Sequence, residues 1–351
     1  MIIGVDPHKS THTATAVDAA TNTTVSSLRV DASIAGYRRL LCWARRYPQR
    51  IWAVEGALGL GCHLAQWLIG QGETVLDAST MATARVRELS RGGRRKNDVI
   101  DASAAAGVAA YQGDATPVSA ADETVVFALL EERRANLAAQ RVRVINQLHA
   151  LLRDLVAGGA PKALTAAAAA AVLRRVRPSG PVERTRKTLA WDLVREVRGL
   201  DARLAAINER IAEALEAHPS RLLAVDGVGP VLAARLIDRC GRASRFPDAD
   251  TFASYAGTAP VEASSGDRIR HRLSRSGDRK LNSALHLVAV TQVRMTNSAG
   301  RRYYDRKISE GKTHKEAMRC LKRKIAGHLW RLMLADERDR DRTTTTTARA
   351  A

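Results

Sequence analysis

The stretch Lys96-Asn97-Asp98-Val99-Ile100-Asp101-Ala102 sets two aspartates three residues apart, directly behind Gly92-Gly93-Arg94-Arg95. On a helix, residues at i and i+3 share a face, so two carboxylates at this spacing repel each other. Something cationic must offset them, either neighbouring Arg and Lys side chains or a metal ion. Two further acids close apolar runs: Asp6 ends MIIGVD and Glu55 ends QRIWAVE. Taken singly, each acid has an ordinary explanation. Asp6 could cap a turn and Glu55 could lie on the surface. Asp98 could be the N-cap of a helix, with Asp101 favoured by the helix dipole. Taken together, four acids of this kind suit Mg²⁺, which makes carboxylates at such density tolerable and serves phosphodiester chemistry.

The elements that must position these acids are legible as periodicities. Met1–Asp18 reads as a strand, a tight turn and a returning strand with T-x-T-x alternation. A short strand is expected at Arg29–Asp31, then a helix over Ser33–Tyr47, a strand over Gln49–Glu55, a helix over Gly59–Gln71, a strand over Glu73–Leu76 and a helix over Met81–Leu89. This alternation predicts an α/β domain on a mixed sheet. Ligands in such sheets gather at the carboxyl ends of strands, where Asp6 and Glu55 stand. A helix over Asp98–Gln112 brings the other two acids. Two strand-end acids and a paired-acid helix are the pattern of a ribonuclease-H-like two-metal site. The candidate catalytic and metal-binding set is therefore Asp6, Glu55, Asp98 and Asp101, holding one or two Mg²⁺.

Beyond this domain the chain turns helical. Glu123–Val156 is long, charged and uninterrupted until Gly158-Gly159-Ala160-Pro161 breaks it. Val182–Ala217 is a second long helix with Leu189, Leu193, Val197 and Leu200 near one stripe. The two predict an antiparallel arm, either a coiled coil for self-association or a helical spacer. Leu222–Leu236 (LLAVDGVGPVLAARL) fits a helix-hairpin-helix, in which Gly227 and Gly229 let backbone N–H groups approach a phosphate. After FASYAGTAP and Ser264-Ser265-Gly266 comes a basic run: Arg268, Arg270, His271, Arg272, Arg275, Arg279 and Lys280 fall within thirteen residues. Helices are expected over Leu281–Met295 and Lys312–Met333, the second carrying Lys322, Arg323 and Lys324. The stretch from Asp336 to Ala351 is low in complexity and expected to be disordered.

Composition narrows the partners. The chain has 351 residues, with 56 Lys and Arg against 36 Asp and Glu, a net formal charge of +20 and a pI near 10.7. That length predicts two domains and a connector. That charge calls for a polyanion, most simply nucleic acid. The candidate phosphate contacts are Arg94, Arg95, Lys96, Gly227, Gly229, Arg268, Arg270, Arg272, Arg275, Arg279, Lys280, Lys322, Arg323 and Lys324, with His271 a contact rather than a base. His8 and His12, close to Asp6, are expected in the sheet or behind the metal ligands. The four cysteines, Cys42, Cys62, Cys240 and Cys320, have no CxxC spacing and fit a reducing cytosol. The opening MIIGVD turns polar at once, so no signal peptide is expected, and no apolar run approaches a membrane span.

Several motifs recur together: IIGVDPHK at the start, AVEG around Glu55, KNDVIDA, GVGPVLAARL, YAGTAP, SSGDRIRHRLSRSGDRKLN and HKEAMRCLKRKI. In combination they resemble the DEDD transposases of the insertion-sequence family numbered one hundred and ten, which includes the Piv DNA invertase. The resemblance covers about residues 1–333. Members usually carry Thr or Ser before the first aspartate of the paired motif. Here it is Asn97, a departure that leaves the acids intact.

The resemblance implies an α/β RuvC-like (ribonuclease-H-like) N-terminal domain over 1–120 and a long helical coiled-coil connector over 121–218. It implies a mainly α C-terminal transposase domain over 219–335 with the helix-hairpin-helix, ahead of the 336–351 tail. It implies that the four acids bind Mg²⁺ and that a serine in Ser264-Ser265-Gly266 attacks DNA to form a phosphoserine link. Ser265, directly before Gly266, is preferred and Ser264 is the alternative. It implies guidance by a structured RNA transcribed from the element's ends, which pairs with donor and target DNA. It implies homodimers that assemble into tetramers, joining the acid site of one subunit with the serine of another, in a bacterial cytoplasm at the nucleoid. The residues agree in part: no G-x-S-x-G triad signature is present, so a metal is the available activator of a serine oxygen, with Arg268 and Arg270 holding the phosphate. Two other readings fit the acids. One is a RuvC-like Holliday-junction nuclease without serine chemistry, and the other a nucleic-acid-binding protein with a degenerate site.

Overall fold

Why an aspartate at position 6 is buried at all follows from the strand that carries it. In a computed structural model of the chain, residues 1–89, 97–112, 115–218, 220–262, 271–273 and 277–350 are described, with the backbone alone at 112, 261–262, 271–273 and 343–350. Two units form, Met1–Ala121 and Asp122–Ala351. In the first, β1 (Ile2–Pro7) is buried along its whole length. It is the centre of a sheet covered on both faces, which is why its apolar run is continuous rather than alternating.

The strands β2 (Thr11–Val17) and β3 (Thr24–Asp31) pair antiparallel on one side of β1. The helix α1 (Ile34–Ala44) leads to β4 (Ile51–Glu55), which runs parallel to β1. The helix α2 (Cys62–Gly70) leads to β5 (Val75–Ala78), parallel to β4. Then come α3 (Thr80–Leu89), α4 (Asp98–Gly107), a π-helical turn over Val108–Gln112 and the short β6 (Thr116–Pro117). The six-stranded order is β3-β2-β1-β4-β5-β6. The expected mixed sheet is thus present. β3 starts at Thr24, earlier than the apolar signal at Arg29, because it is an edge strand whose residues are mostly exposed.

The two faces are built differently. Tyr37, Leu40, Leu64 and Leu68 from α1 and α2 pack on Ile3, Val5, Trp52 and Val54. The opposite face is lined by alanine: Ala106 of α4 meets Ile2, Val17 and Ala53, and Ala105 meets Ala78 and Ala82. Small side chains let α4 approach the sheet backbone. A Cβ placed on Gly4 would lie 1.9 Å from the Ala102 carbonyl oxygen and 2.8 Å from the Ala106 nitrogen. Only glycine fits at that crossing.

In the second unit, α5 (Thr124–Leu155), α6 (Ala166–Arg175) and α7 (Pro181–Ala217) come first. Arg134 donates to Asn208 at 2.8 Å, Arg141 pairs with Asp201, and Arg186 lies 3.7 Å from Asp154. Partner numbers fall along α7 as they rise along α5, so the two helices are antiparallel. The buried stripe of α7 is Ala190, Val194, Val197, Leu200, Ile207, Ile211 and Leu215, so the expected Val197 and Leu200 lie on it, while Leu189 is exposed. The expected stripe was one residue out of phase at its start. α6 went unrecognised because six alanines look featureless, yet Ala166, Ala169, Ala170 and Leu173 are buried and Thr165 caps the helix.

A 3₁₀ turn over Arg221–Ala224 precedes α8 (Pro230–Cys240), and α9 (Ala249–Tyr255) follows. The hairpin of β7 (Pro260–Glu262) and β8 (His271–Leu273) leads to α10 (Arg279–Arg294), α11 (Ala299–Ser309) and α12 (His314–Ala350). The backbone of α12 is helical to Ala350, over most of the 336–351 stretch read as a disordered tail, and its start is tied into the fold. The reason is that Asp336 and Glu337 are buried acids with work to do. Asp336 accepts from the Arg221 N–H at 2.9 Å, and Glu337 accepts from Ser244 Oγ at 2.6 Å and Arg242 Nε at 2.9 Å. Among the described residues no helix is long and apolar enough to cross a membrane.

Gly4→Ala is expected to destabilise the protein by about 3 kcal/mol or more, since backbone atoms must move to admit the methyl group. Gly70→Ala, where nothing lies within 4 Å, should change stability by no more than about 1 kcal/mol. Urea midpoints of the two variants test this. A Gly4→Ala protein as stable as wild type would contradict the packing described.

Candidate metal centre

The parallel register pairs Gly4 with Ala53 and Val5 with Val54, so the next residues, Asp6 and Glu55, stand side by side at the ends of β1 and β4, where they still pair with Thr13 and Ala78 on the outer strands. Alternation along a strand puts Asp6 on the face of Gly4, the face that α4 covers. Asp98 and Asp101 occupy the first turn of α4, where the helix dipole favours negative charge. Asn97, not Asp98, is the cap: its side chain accepts from the Ile100 N–H at 2.8 Å. Asp98 is thereby spared for another role.

One ligand-capable atom from each of Asp6, His8 and Asp98 lies within 4.8 Å of the other two. His8 Nδ1 is 3.6 Å from Asp6 Oδ2, and Arg29 Nη1 is 3.3 Å from Asp98 Oδ2. The Arg29 side chain is 64% exposed, and a pair of that kind is worth at most about 1 kcal/mol. It does not hold Asp98 away from a metal. Two carboxylates and an imidazole are a set that can hold a divalent cation: the oxygens suit Mg²⁺ and Mn²⁺, and an imidazole nitrogen is also a ligand for transition-metal ions.

The other two acids of the expected set are arranged differently. Asp101 is 5% exposed and accepts from Arg87 Nη1 at 2.6 Å. That hydrogen bond and the charge of Asp101 raise the pKa of Arg87, and the charge of Glu55 acts in the same direction. The described residues therefore bring Asp6 and Asp98 together with His8, while Asp101 faces a guanidinium. His8 was expected behind the ligands, but it offers a ligand atom itself. The signal was the D-x-H spacing across the turn after β1. Arg87 carried no signal, because only the packing of α3 on α4 brings it to Asp101. His12 is a sheet residue: it is buried, its ring stacks on Tyr37 at 5.5 Å, and burial lowers its pKa.

The expected nucleic-acid contacts divide in the same way. Gly227 has φ +81°, and a Cβ there would meet Thr291 Cβ at 3.1 Å. The turn is pinned to α10 by Gln292 Nε2, which donates to the Asp226 carbonyl at 2.8 Å. Gly229 is the N-cap position of α8, ahead of Pro230, and its Cβ direction is open. Arg279, Lys280 and Lys324 are exposed. Lys322 and Arg323 point inward instead. Lys322 Nζ donates to Asn282 Oδ1 at 2.6 Å, and burial lowers its pKa. Asn282 in turn donates to the carbonyls of Ala256 and Gly257 at 2.8 and 2.9 Å. Arg323 donates to the Ala249 carbonyl at 3.2 Å and pairs with Asp250. Arg94, Arg95, Lys96, Ser264, Ser265, Arg268, Arg270 and Arg275 lie outside the described residues. Arg272 and His271 lie in β8, where the backbone alone is described.

Comparison with known proteins gives consistent findings. A family described as "Transposase IS116/IS110/IS902 family" matches residues 220–305, and a transposase family of the DEDD type matches residues 3–156. An uncharacterized 44.8 kDa protein of insertion element IS116 from Streptomyces clavuligerus is 30% identical, over 96% of this chain and 95% of that one. An uncharacterized 42 kDa protein of insertion element IS900 from Mycobacterium paratuberculosis is also 30% identical, over 85% of this chain and 86% of that one. Among solved structures, T. thermophilus RuvC in complex with a Holliday junction substrate is 16% identical and covers 33% of this chain and 98% of its own. Its TM-score is 0.27, too low to weigh.

Asp98→Asn and His8→Gln are each expected to weaken Mn²⁺ binding by about tenfold or more, as even indirect changes around metal ligands do. His12→Gln should leave it unchanged. Calorimetric titration of the three variants checks this, and unaltered affinity in Asp98→Asn would remove it from the site.

Proposed function

We propose, since the chain belongs to the IS116/IS110/IS902 transposase family, that it excises and inserts its own mobile element by an acid-bound metal and a serine nucleophile. Cutting and rejoining DNA follows from the family itself. The metal, the serine and an RNA guide are what the proposal adds. The observation that supports it most is the convergence of Asp6, His8 and Asp98 within 4.8 Å at the end of the central strand, inside the DEDD-type match over residues 3–156.

A divalent ion, Mg²⁺ by preference, supplies Lewis-acid assistance to the oxygens around phosphorus when bound. Asp6, Asp98 and His8 would hold it, with Glu55 and Asp101 as the remaining acids of the tetrad. The serine, Ser265 or else Ser264, contributes Oγ. Its oxygen bonds to the scissile phosphorus and its proton passes to solvent. The bond from phosphorus to the leaving sugar oxygen breaks, and that oxygen takes up a proton. The product is a phosphoserine link that a second DNA hydroxyl reverses by the same exchange. Exposed Arg279, Lys280 and Lys324, and the turn at Gly227 and Gly229 read as a helix-hairpin-helix, would bind phosphates. The basic residues from Arg94 to Lys96 and from Arg268 to Arg275 would do the same. The domains would be the catalytic 1–120, the arm 121–218 used for self-association, and the serine-bearing 219–335. Specificity would come from a structured RNA of the element's ends, in homodimers that assemble to tetramers at the bacterial nucleoid.

The test is recombination in cells between two plasmids carrying the element's flanking DNA. Wild type should yield junction products, and Asp98→Ala, Asp101→Asn and Ser265→Ala none. Recombination by Ser265→Ala but not Ser264→Ala would move the nucleophile by one residue. Activity in both serine variants would leave a nuclease and overturn the serine mechanism. Binding of the element's RNA should fall by about 10³-fold or more between 50 and 200 mM salt, given a +20 chain meeting phosphates. A salt-independent affinity would contradict the electrostatic basis.

A further inference from the structure

The outer side of α1 carries charge that the fold leaves unused. No acid stands between Asp31 and Glu55, whereas Arg38, Arg39, Arg45, Arg46 and Arg50 do, and α2 has no acid either. Arg50 is engaged: its Nε donates to Glu73 at 2.8 Å, and the same carboxylate accepts from Trp52 Nε1 at 2.7 Å. Arg38 and Arg45 are exposed, and among the described residues neither guanidinium has a hydrogen-bond or ion-pair partner. At i, i+3, i+4 and i+7, Arg38, Leu41, Cys42 and Arg45 share one side of α1. Together with Trp67 and Gln71, at the end of α2, they line a cavity of about 290 Å³, near the small end of ligand sites. Trp67 is half-buried and its ring lies 5.6 Å from that of Tyr37. Tyr37 is itself buried, and its hydroxyl meets His12 Nε2 and His63 Nδ1 at 3.3 Å each. The indole is thus held in place before any ligand arrives, which lowers the entropic cost of binding. Because α1 and α2 cover the face of the sheet opposite α4, the sheet stands between this cavity and the helix that carries Asp98 and Asp101.

We propose that the cavity between α1 and α2 binds a nucleotide, its base against the Trp67 indole and its phosphate on the guanidiniums of Arg38 and Arg45. A guanidinium offers phosphate a fork of N–H donors. An aromatic ring accepts any base, since every base has a π-face. The Gln71 amide can donate and accept at the base or the sugar. A simple anion would leave the indole unused, and an apolar ligand would leave two guanidiniums without a partner. The nucleotide is either free or an unpaired residue of a strand, and the same chemistry recognises both. Neither the metal nor the serine takes part.

Cys42 is exposed and lines the cavity, so it reports occupancy. The experiment follows alkylation of the full chain by iodoacetamide, read by mass spectrometry at Cys42 with Cys320 as the internal reference. Adenosine monophosphate should slow the reaction at Cys42 and leave Cys320 unchanged. Ribose 5-phosphate, which lacks the base, should need a concentration about tenfold higher for the same effect. Arg38→Gln and Arg45→Gln should each weaken the protection by about tenfold. Arg39→Gln and Arg46→Gln remove the same charge from exposed positions outside the cavity and should keep the protection. A short oligoadenylate acting at concentrations about tenfold or more below the mononucleotide would assign the site to an unpaired residue of a strand, and equal potency would assign it to free nucleotide. No slowing by either ligand, equal slowing by ribose 5-phosphate, or equal loss in both pairs of arginine variants would overturn the proposal.

Discussion

The first unit depends on one backbone crossing. The helix α4 lies against β1 so closely that the Ala102 carbonyl oxygen occupies the place where a Cβ of residue 4 would stand. Glycine at 4 and alanines at 102, 105 and 106 are the composition this distance demands. The crossing fixes how far the first turn of α4 stands from the end of β1, and so how far Asp98 stands from Asp6. Side-chain geometry held by backbone packing is more exact than geometry held by loops. The same packing buries Asp101, which makes its electrostatics strong and its partner consequential.

Repulsion among the acids is the second constraint. Among the described residues, the groups beside these acids differ in character: a half-exposed imidazole at Asp6, a solvent-exposed guanidinium on Asp98 and a mostly buried one on Asp101. The exposed pair is easily displaced; the buried one is not. The acids that look equivalent in sequence therefore differ in what they can offer a metal. In the second unit, ion pairs serve assembly of the helices instead. Glu131 of α5 pairs with Arg235 of α8, Asp278 at the N-cap of α10 with Arg239, and Glu337 of α12 with Arg242. Part of the large positive charge is thus consumed within the fold, and Lys322 and Arg323 belong to that share.

Strands and amphipathic helices were legible because burial imposes a period. Asp6 and Glu55 could be placed at strand ends, and Asp98 and Asp101 on one helix start, from the apolar runs before and after them. What escaped was decided by three-dimensional neighbours. Asn97 took the cap that Asp98 could have filled. Arg87 reached Asp101 from another helix. α6 hid in an alanine run whose burial depends on what packs over it. The stretch after Asp336 looked like solvated low complexity, but its buried acids answer to Arg221, Arg242 and Ser244 more than 90 residues away in sequence. Charge in a sequence reports composition; only packing decides which charges face water.

The central claim is that Asp6, His8 and Asp98 are ligands of one divalent ion. Crystals of the protein soaked in Mn²⁺ and measured at the manganese absorption edge test it without reference to activity. A single anomalous peak in contact with these three side chains is the predicted result. A peak bound to other residues, or one at Asp101 with Arg87 displaced, would contradict it.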